Sequence, residues 1–136
     1  NLVSFNPRPL EVKWMEYHTK HTQTFIPLSG KPFYMVLGKP TARKADGSWD
    51  DTQSNLPDLN SIQAFKFDGT GGLVMDVGTW HEVPFPTAGP THFFCICTNE
   101  TNENLEDGDD KGECEGGDLS KRHVESQFNV ILRIEE

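Results

Sequence analysis

Five consecutive residues, Gly78-Thr79-Trp80-His81-Glu82, carry the clearest chemistry in the 136-residue chain; they follow an apolar run and precede Pro84-Phe85-Pro86. A neutral imidazole beside a carboxylate can take up and return a proton near pH 7, because the unperturbed histidine pKa is about 6.5. Gly78 permits a tight bend that turns the chain inward, and Trp80 offers a large apolar wall beside the ring. On an extended strand, however, His81 and Glu82 face opposite sides, so only a bulge would aim both at one pocket.

A second group is His18-Thr19-Lys20-His21-Thr22-Gln23, a polar connection that runs straight into the apolar Thr24-Phe25-Ile26-Pro27-Leu28. Histidines three apart share a face only on a helix, so in a loop the spacing says little by itself. The junction at Thr22–Leu28, which includes Gln23, is suited to line a pocket mouth. Lys31 before a predicted strand, Lys66 within one and Arg133 in the last are the basic residues expected to face a pocket, and each is by default a surface cation.

Residues 100–118 hold nine acids and one base, Lys111, whereas the rest of the chain is almost neutral; the net charge of -9 therefore describes one segment. Read as a twelve-residue calcium loop, Asp107–Asp118 has acids at positions one, three, nine and twelve and Gly112 at six. Lys111 occupies the fifth, a ligand position, and Cys114 replaces the apolar anchor, so a solvated charge run is the expectation. Cys95-x-Cys97 with Cys114 or His123 lacks the spacing of a structural zinc site, and buried strand cysteines are expected. Phosphate-cradling and nucleophile-elbow glycine patterns are absent from the sequence.

The elements that must position these groups read as strands. Short β-branched and aromatic runs recur between Gly, Pro, Asn and Asp clusters: Leu2–Phe5, Leu10–Tyr17, Thr24–Leu28, Phe33–Gly38, Ser61–Phe67, Gly72–Val77, His81–Phe85, His92–Thr98 and Gln127–Ile134. That pattern predicts one all-β domain over 1–136, an antiparallel sandwich or barrel with two long polar loops, 39–60 and 99–123. A turn or two of helix is expected only near Asp58–Ser61 or Ser120–Gln127. Asp68-Gly69-Thr70-Gly71 predicts a hairpin between its flanking strands. The acidic loop is expected to lack fixed structure when nothing is bound.

Composition narrows the function. No apolar run approaches the roughly 18 residues of a spanning helix, and the acidic balance has the wrong sign for a nucleic-acid backbone. Three cysteines in a chain of this size do not make a disulfide framework, so a cytoplasmic setting is expected. The chain starts with Asn1, and Leu2–Phe5 already reads as a strand, which suggests a preceding segment.

The ordered strings Thr22-Gln23-Thr24-Phe25-Ile26-Pro27-Leu28, Pro32–Leu37, Pro57-Asp58-Leu59 and Gly78-Thr79-Trp80-His81 resemble the ureidoglycolate lyase family, from about Leu2 to Phe94. The resemblance implies a cupin-like β-barrel fold and cleavage of a C–N bond that releases urea and leaves glyoxylate. It assigns proton transfer to His81, with His18 or Glu82 as counterpart, and the holding of carboxylate and ureido groups to Gln23 and Lys66. It implies a small carboxylate as partner; a homodimer is expected because a barrel with open edges gains from pairing. Many cupins hold a transition metal; here only Gly78-x-x-His81 of their motifs is present, so a divalent ion is allowed by His18, His21, His81 and Glu82 but not required. Met75, Asp76 and Glu82 depart from the family pattern, and an insertion runs from Arg43 to Asn55. These departures leave open a non-catalytic or substrate-shifted cupin that binds another small carboxylate.

Overall fold

The computed structural model describes residues 1–50, 55–108, 112–114 and 117–136. Twelve strands and two helices are found among them: β1 (Leu2–Phe5), β2 (Glu11–Val12), β3 (Trp14–His18), β4 (Gln23–Pro27), β5 (Phe33–Gly38), β6 (Gln63–Phe67), β7 (Leu73–Met75), β8 (Trp80–His81), β9 (Phe85–Pro86), β10 (Thr91–Ile96), α1 (Asn99–Gly108), β11 (Leu119–His123), α2 (Val124–Phe128) and β12 (Leu132–Arg133). A 3-10 turn at Leu59–Ser61 fills the helical position expected near Asp58. The all-β, cupin-like prediction holds as a sandwich of antiparallel sheets, without a closed barrel.

The first sheet has the order β1-β10-β4-β7, and the second β11-β3-β8-β5-β6 with β9 also on β5. Strict alternation sets which face each residue takes. In β10, Thr91, Phe93 and Cys95 are buried while His92, Phe94 and Ile96 are exposed. Phe25, Phe33, Met35, Met75 and Phe93 form the apolar core that these inward positions share. A second core, with Met15, Tyr17, Val36, Ala42, Trp80, Phe85, Val124 and Ile134, lies on the opposite face of the second sheet. Part of the long loop, through Ala42 and Trp49, and the C-terminal segment therefore cover a sheet face that would otherwise meet water.

Three expectations need correction. Strands β6 and β7 do not form a hairpin: β6 pairs with β5 and β7 with β4, so the chain changes sheets between them. Asp68 still makes a tight turn, accepting from the amide and hydroxyl of Thr70 at 2.9 and 2.7 Å. Gly69 is required there, because its φ is +91° and a β-carbon would lie 2.5 Å from the Lys31 carbonyl oxygen. Second, the acidic segment is not structureless: it contains α1 and leads into β11, which pairs with β3. The calcium-loop reading falls in part on residues 109–111 and 115–116, outside the described residues, as do residues 51–54 of the insertion. Third, the C-terminal strand is displaced: the turn or two of helix expected near Ser120–Gln127 is present as α2, preceded by β11. The helix begins only after His123, whose side chain accepts from the Ser126 amide, and ends at Asn129 with φ 54°. The strand expected over Gln127–Ile134 shortens to β12.

No described helix is long and apolar enough to cross a membrane.

Candidate active site

Polar residues gather at one end of the space between the sheets. Strand β3 turns Glu16 and His18 to that side, because they are two apart and share a face; Met15 and Tyr17 join the outer core. His81 of β8 lies opposite Glu16 in register and is 1% exposed. Gly78, with φ +82°, makes the bend before it, as the sequence predicts. Gln23 starts β4 on the facing sheet and is buried.

These groups form a row. The His81 Nε2 is 3.3 Å from Glu16 Oε1, the His81 and His18 rings are 5.2 Å apart, and the His18 and His21 rings are 4.7 Å apart. His21 Nδ1 ends the row, 2.6 Å from Asp118 Oδ2. Gln23 Oε1 lies 3.2 Å from His18 Nε2, and its amide nitrogen donates to Cys95 Sγ at 3.6 Å.

The ring of His81 has a definite orientation. Its Nδ1 is 2.9 Å from the Thr79 carbonyl oxygen, which can only accept, so Nδ1 carries hydrogen. In neutral His81 the Nε2 would then present a lone pair to the Glu16 carboxylate. Two acceptors at 3.3 Å need a positive centre, supplied by protonation of the ring or by a bound cation. The contact lacks good hydrogen-bond alignment, and His81 Nε2, His18 Nδ1 and both His21 nitrogens are buried without a partner of good geometry.

Charge states follow from this packing. Burial by itself would raise the Glu16 carboxyl, but the close approach and charge of His81, with His18 and Lys121, hold it below the usual range. Burial and the neighbouring His81 push His18 down to about 4 against the pull of Glu16. Burial also raises Asp118, yet the Thr101 hydroxyl, the Lys20 amide and the Thr98 hydroxyl outweigh it, and the group stays below the usual range. The bonds are 2.7, 2.8 and 3.0 Å long, so the last acid of the acidic segment is a buried anchor and not part of a solvated run.

A cavity of about 670 Å³ opens in front of Glu16, lined also by Phe5, Arg8, Trp14, Glu82 and Lys121. Glu82 belongs to this wall but does not face His81: its carboxylate accepts from the Trp14 and Val83 amides, at 3.1 and 2.9 Å. Burial raises its pKa above the usual carboxyl range, those two amides opposing. Lys66 lies apart from the group. It pairs in register with Tyr34, which faces the outer core, and its ammonium is 5.6 Å from the Tyr34 ring. Of the expected site residues, the fold thus brings His18, His81 and Gln23 into contact and sets Glu82 beside them. Glu16 and Asp118 were not anticipated.

The donor atoms of Glu16, His18 and His81 lie within 4.8 Å of one another, as do those of His18, His21 and Asp118. Imidazole with carboxylate is the donor chemistry of divalent first-row metals, and the unpartnered Nε2 of His81 fits such an ion.

The profile of ureidoglycolate lyases matches residues 2–125. The chain belongs to the ureidoglycolate lyase family. The match runs past Phe94, where the sequence resemblance fades, and takes in Asp118 and β11. Similar proteins include the ureidoglycolate lyase of Schizosaccharomyces pombe, 28% identical over 91% of this chain and 55% of its own length. That of Azotobacter vinelandii is 24% identical over 74% of this chain and 53% of its own, and that of Escherichia coli 28% over 65% and 47%. The chain spans about half the length of the curated relatives it matches.

Cys95, Cys97 and Cys114 of this family member form no disulfide. Burial, reinforced by neighbouring Cys97, pushes the Cys95 thiol up to about 12. Iodoacetamide at pH 8 is therefore expected to label Cys97 and Cys114 in the folded protein and to reach Cys95 only after unfolding, read by mass spectrometry.

Proposed function

We propose that the cavity before Glu16 is the reaction site of a carbon–nitrogen lyase that converts ureidoglycolate to glyoxylate and urea. The observation that carries this reading is the Glu16–His81 contact at 3.3 Å, with the Nδ1 hydrogen of the ring spent on Thr79. The reaction needs a base at the substrate hydroxyl and a proton for the departing nitrogen. Glu16, which lines the cavity and is held ionised, takes the hydroxyl proton as the carbon becomes a carbonyl and the C–N bond breaks. The Glu16–His81 pair returns one proton to the ureido nitrogen, so urea leaves neutral and no net proton is consumed. The His18 ring packs beside His81, and Gln23 in turn fixes His18, which gives both a supporting role. A divalent ion held by Glu16, His18 and His81 would supply Lewis-acid polarisation of the hydroxyl oxygen. The proposed working form is a cytoplasmic homodimer, favoured by cysteines that form no disulfide and by open sheets that end in edge strands.

The test is incubation of the protein with ureidoglycolate, with and without added divalent metal. Stoichiometric urea and glyoxylate are expected. Ammonia in place of urea would point to hydrolysis, and saturable binding with no turnover to a cupin that only holds its ligand.

A further inference from the structure

The second triad of donor atoms, on His18, His21 and Asp118, shares only His18 with the group around Glu16 and His81. It lies where the connection from β3 to β4 meets the residue just before β11. Sequence alone allowed an ion on His18, His21, His81 and Glu82. The fold turns the Glu82 carboxylate to the Trp14 and Val83 amides and sets Asp118 beside the first two histidines instead.

Hydrogen bonding shows which atom of His18 faces this triad. Gln23 donates its amide nitrogen to Cys95 Sγ, so its Oε1 accepts from His18 Nε2 at 3.2 Å and that nitrogen carries the ring hydrogen. In the neutral ring Nδ1 is then a lone pair. It is buried, has no hydrogen-bond partner among the described residues, and lies 3.9 Å from Asp118 Oδ2, another acceptor. His21 meets the same oxygen from the other side. Its Nδ1 is 2.6 Å from Oδ2, yet neither ring nitrogen makes a hydrogen bond of good geometry among the described residues. A proton on His21 would serve one of these contacts only, whereas a cation among the three atoms serves both.

The surroundings suit an ion. The Asp118 carboxylate accepts from the Thr101 and Thr98 hydroxyls at 2.7 and 3.0 Å and from the Lys20 amide at 2.8 Å, which fixes its orientation. Bonds of this kind to a carboxylate, and of Gln23 to an imidazole, are what orient groups that ligate a metal. Bonds of about 2.0–2.2 Å to a common ion put ligand atoms about 3–3.5 Å apart, between the 2.6 and 3.9 Å found here. The His21 side chain is 12% exposed, which gives an ion a way in.

We propose that His18 Nδ1, His21 Nδ1 and Asp118 Oδ2 bind one divalent first-row transition ion, such as zinc. Two imidazoles and a carboxylate suit that class, whereas magnesium and calcium take oxygen ligands. Three protein ligands leave a fourth position for water. The ion clamps the β3–β4 connection to the start of β11 and fixes the His18 ring, which packs 5.2 Å from His81. The site does not depend on the lyase reading, because it uses neither Glu16 nor His81.

Zinc chloride is the probe, titrated calorimetrically into chelator-treated protein whose accessible cysteines are alkylated so that they cannot compete. His21→Phe keeps a ring and removes both nitrogens, and it should lower the affinity of this site at least about tenfold. Asp118→Asn should do the same. His92→Phe, at an exposed histidine of β10, should stay within about twofold, and Glu16→Gln within about threefold. Saturating zinc should raise the melting temperature of the wild type and leave that of His21→Phe nearly unchanged, because an ion that binds only the folded chain stabilises it. His21 is the ligand closest to solvent, so His21→Phe decides the matter if Asp118→Asn fails to fold. Zinc binding that is absent, that is unchanged in folded His21→Phe, or that is lost in Glu16→Gln would each overturn the assignment. Urea release from ureidoglycolate is a separate readout, so the clamp and the lyase reading can fail independently.

Discussion

Glu16→Gln is expected to lower kcat for urea release by about 10²- to 10⁴-fold with little change in KM, the range removed with a positioned general base. The substitution keeps the shape of a side chain that is buried in the wall of the cavity. It also removes the need for a positive centre beside His81. With Nδ1–H donated to Thr79, the Nε2 lone pair can accept from the new amide, so the pair is satisfied while neutral. The melting temperature should therefore stay the same or rise slightly while the rate collapses. His81→Ala should lower the rate at least about tenfold but also leave Glu16 buried opposite a void, so it should melt earlier. Circular dichroism melts alongside single-turnover urea release separate the two effects. A Glu16→Gln rate within threefold of wild type would remove Glu16 as the base.

The contrast between these residues and the ones visible in the sequence has a physical origin. His81 was legible because a local signal, a glycine bend followed by Trp-His, fixes its position with no reference to the rest of the chain. Gln23 was legible for a similar reason, as the last polar residue before an apolar strand. Glu16 was hidden inside a segment read as one apolar strand, Leu10–Tyr17. Its parity with His18 held the clue, since residues two apart on a strand share a face. Lys66 failed for the complementary reason: the face of an isolated strand is undefined until its partner is known, and pairing with Tyr34 turned it away. Asp118 depends on contacts across the chain, accepting from the Lys20 amide 98 positions away. Averaging the acidic segment into one solvated run hid Asp118, which is 1% exposed. The hairpin was misjudged because a good turn sequence fixes a reversal of direction and leaves open which sheet receives the next strand.

The residue beside His81 governs the fold as His81 governs the chemistry, and Trp80→Ala should show it. Strand β8 is only two residues long, so Trp80 and His81 point to opposite faces of the second sheet from one short anchor. Trp80 is fully buried in the outer core, with the Tyr17 ring edge-on at 4.5 Å and its indole nitrogen donating to the Thr41 hydroxyl at 2.8 Å. Removing the indole deletes one of the contacts that join the long loop to the sheet, alongside those of Tyr17 with Asp50 and Asn55, and leaves a large void. The expected cost is about 3–5 kcal/mol, equivalent to a fall in Tm of about 10 °C or more. Thr41→Ala removes only the hydrogen bond and should cost about 1 kcal/mol, so comparison of the two separates packing from polar pairing. If β8 positions the imidazole, Trp80→Ala measured at a temperature where it remains folded should also lose kcat, while Thr41→Ala keeps it. Loss of stability with full retention of kcat would mean that Thr79, Glu16 and His18 hold the ring in place without help from the outer core.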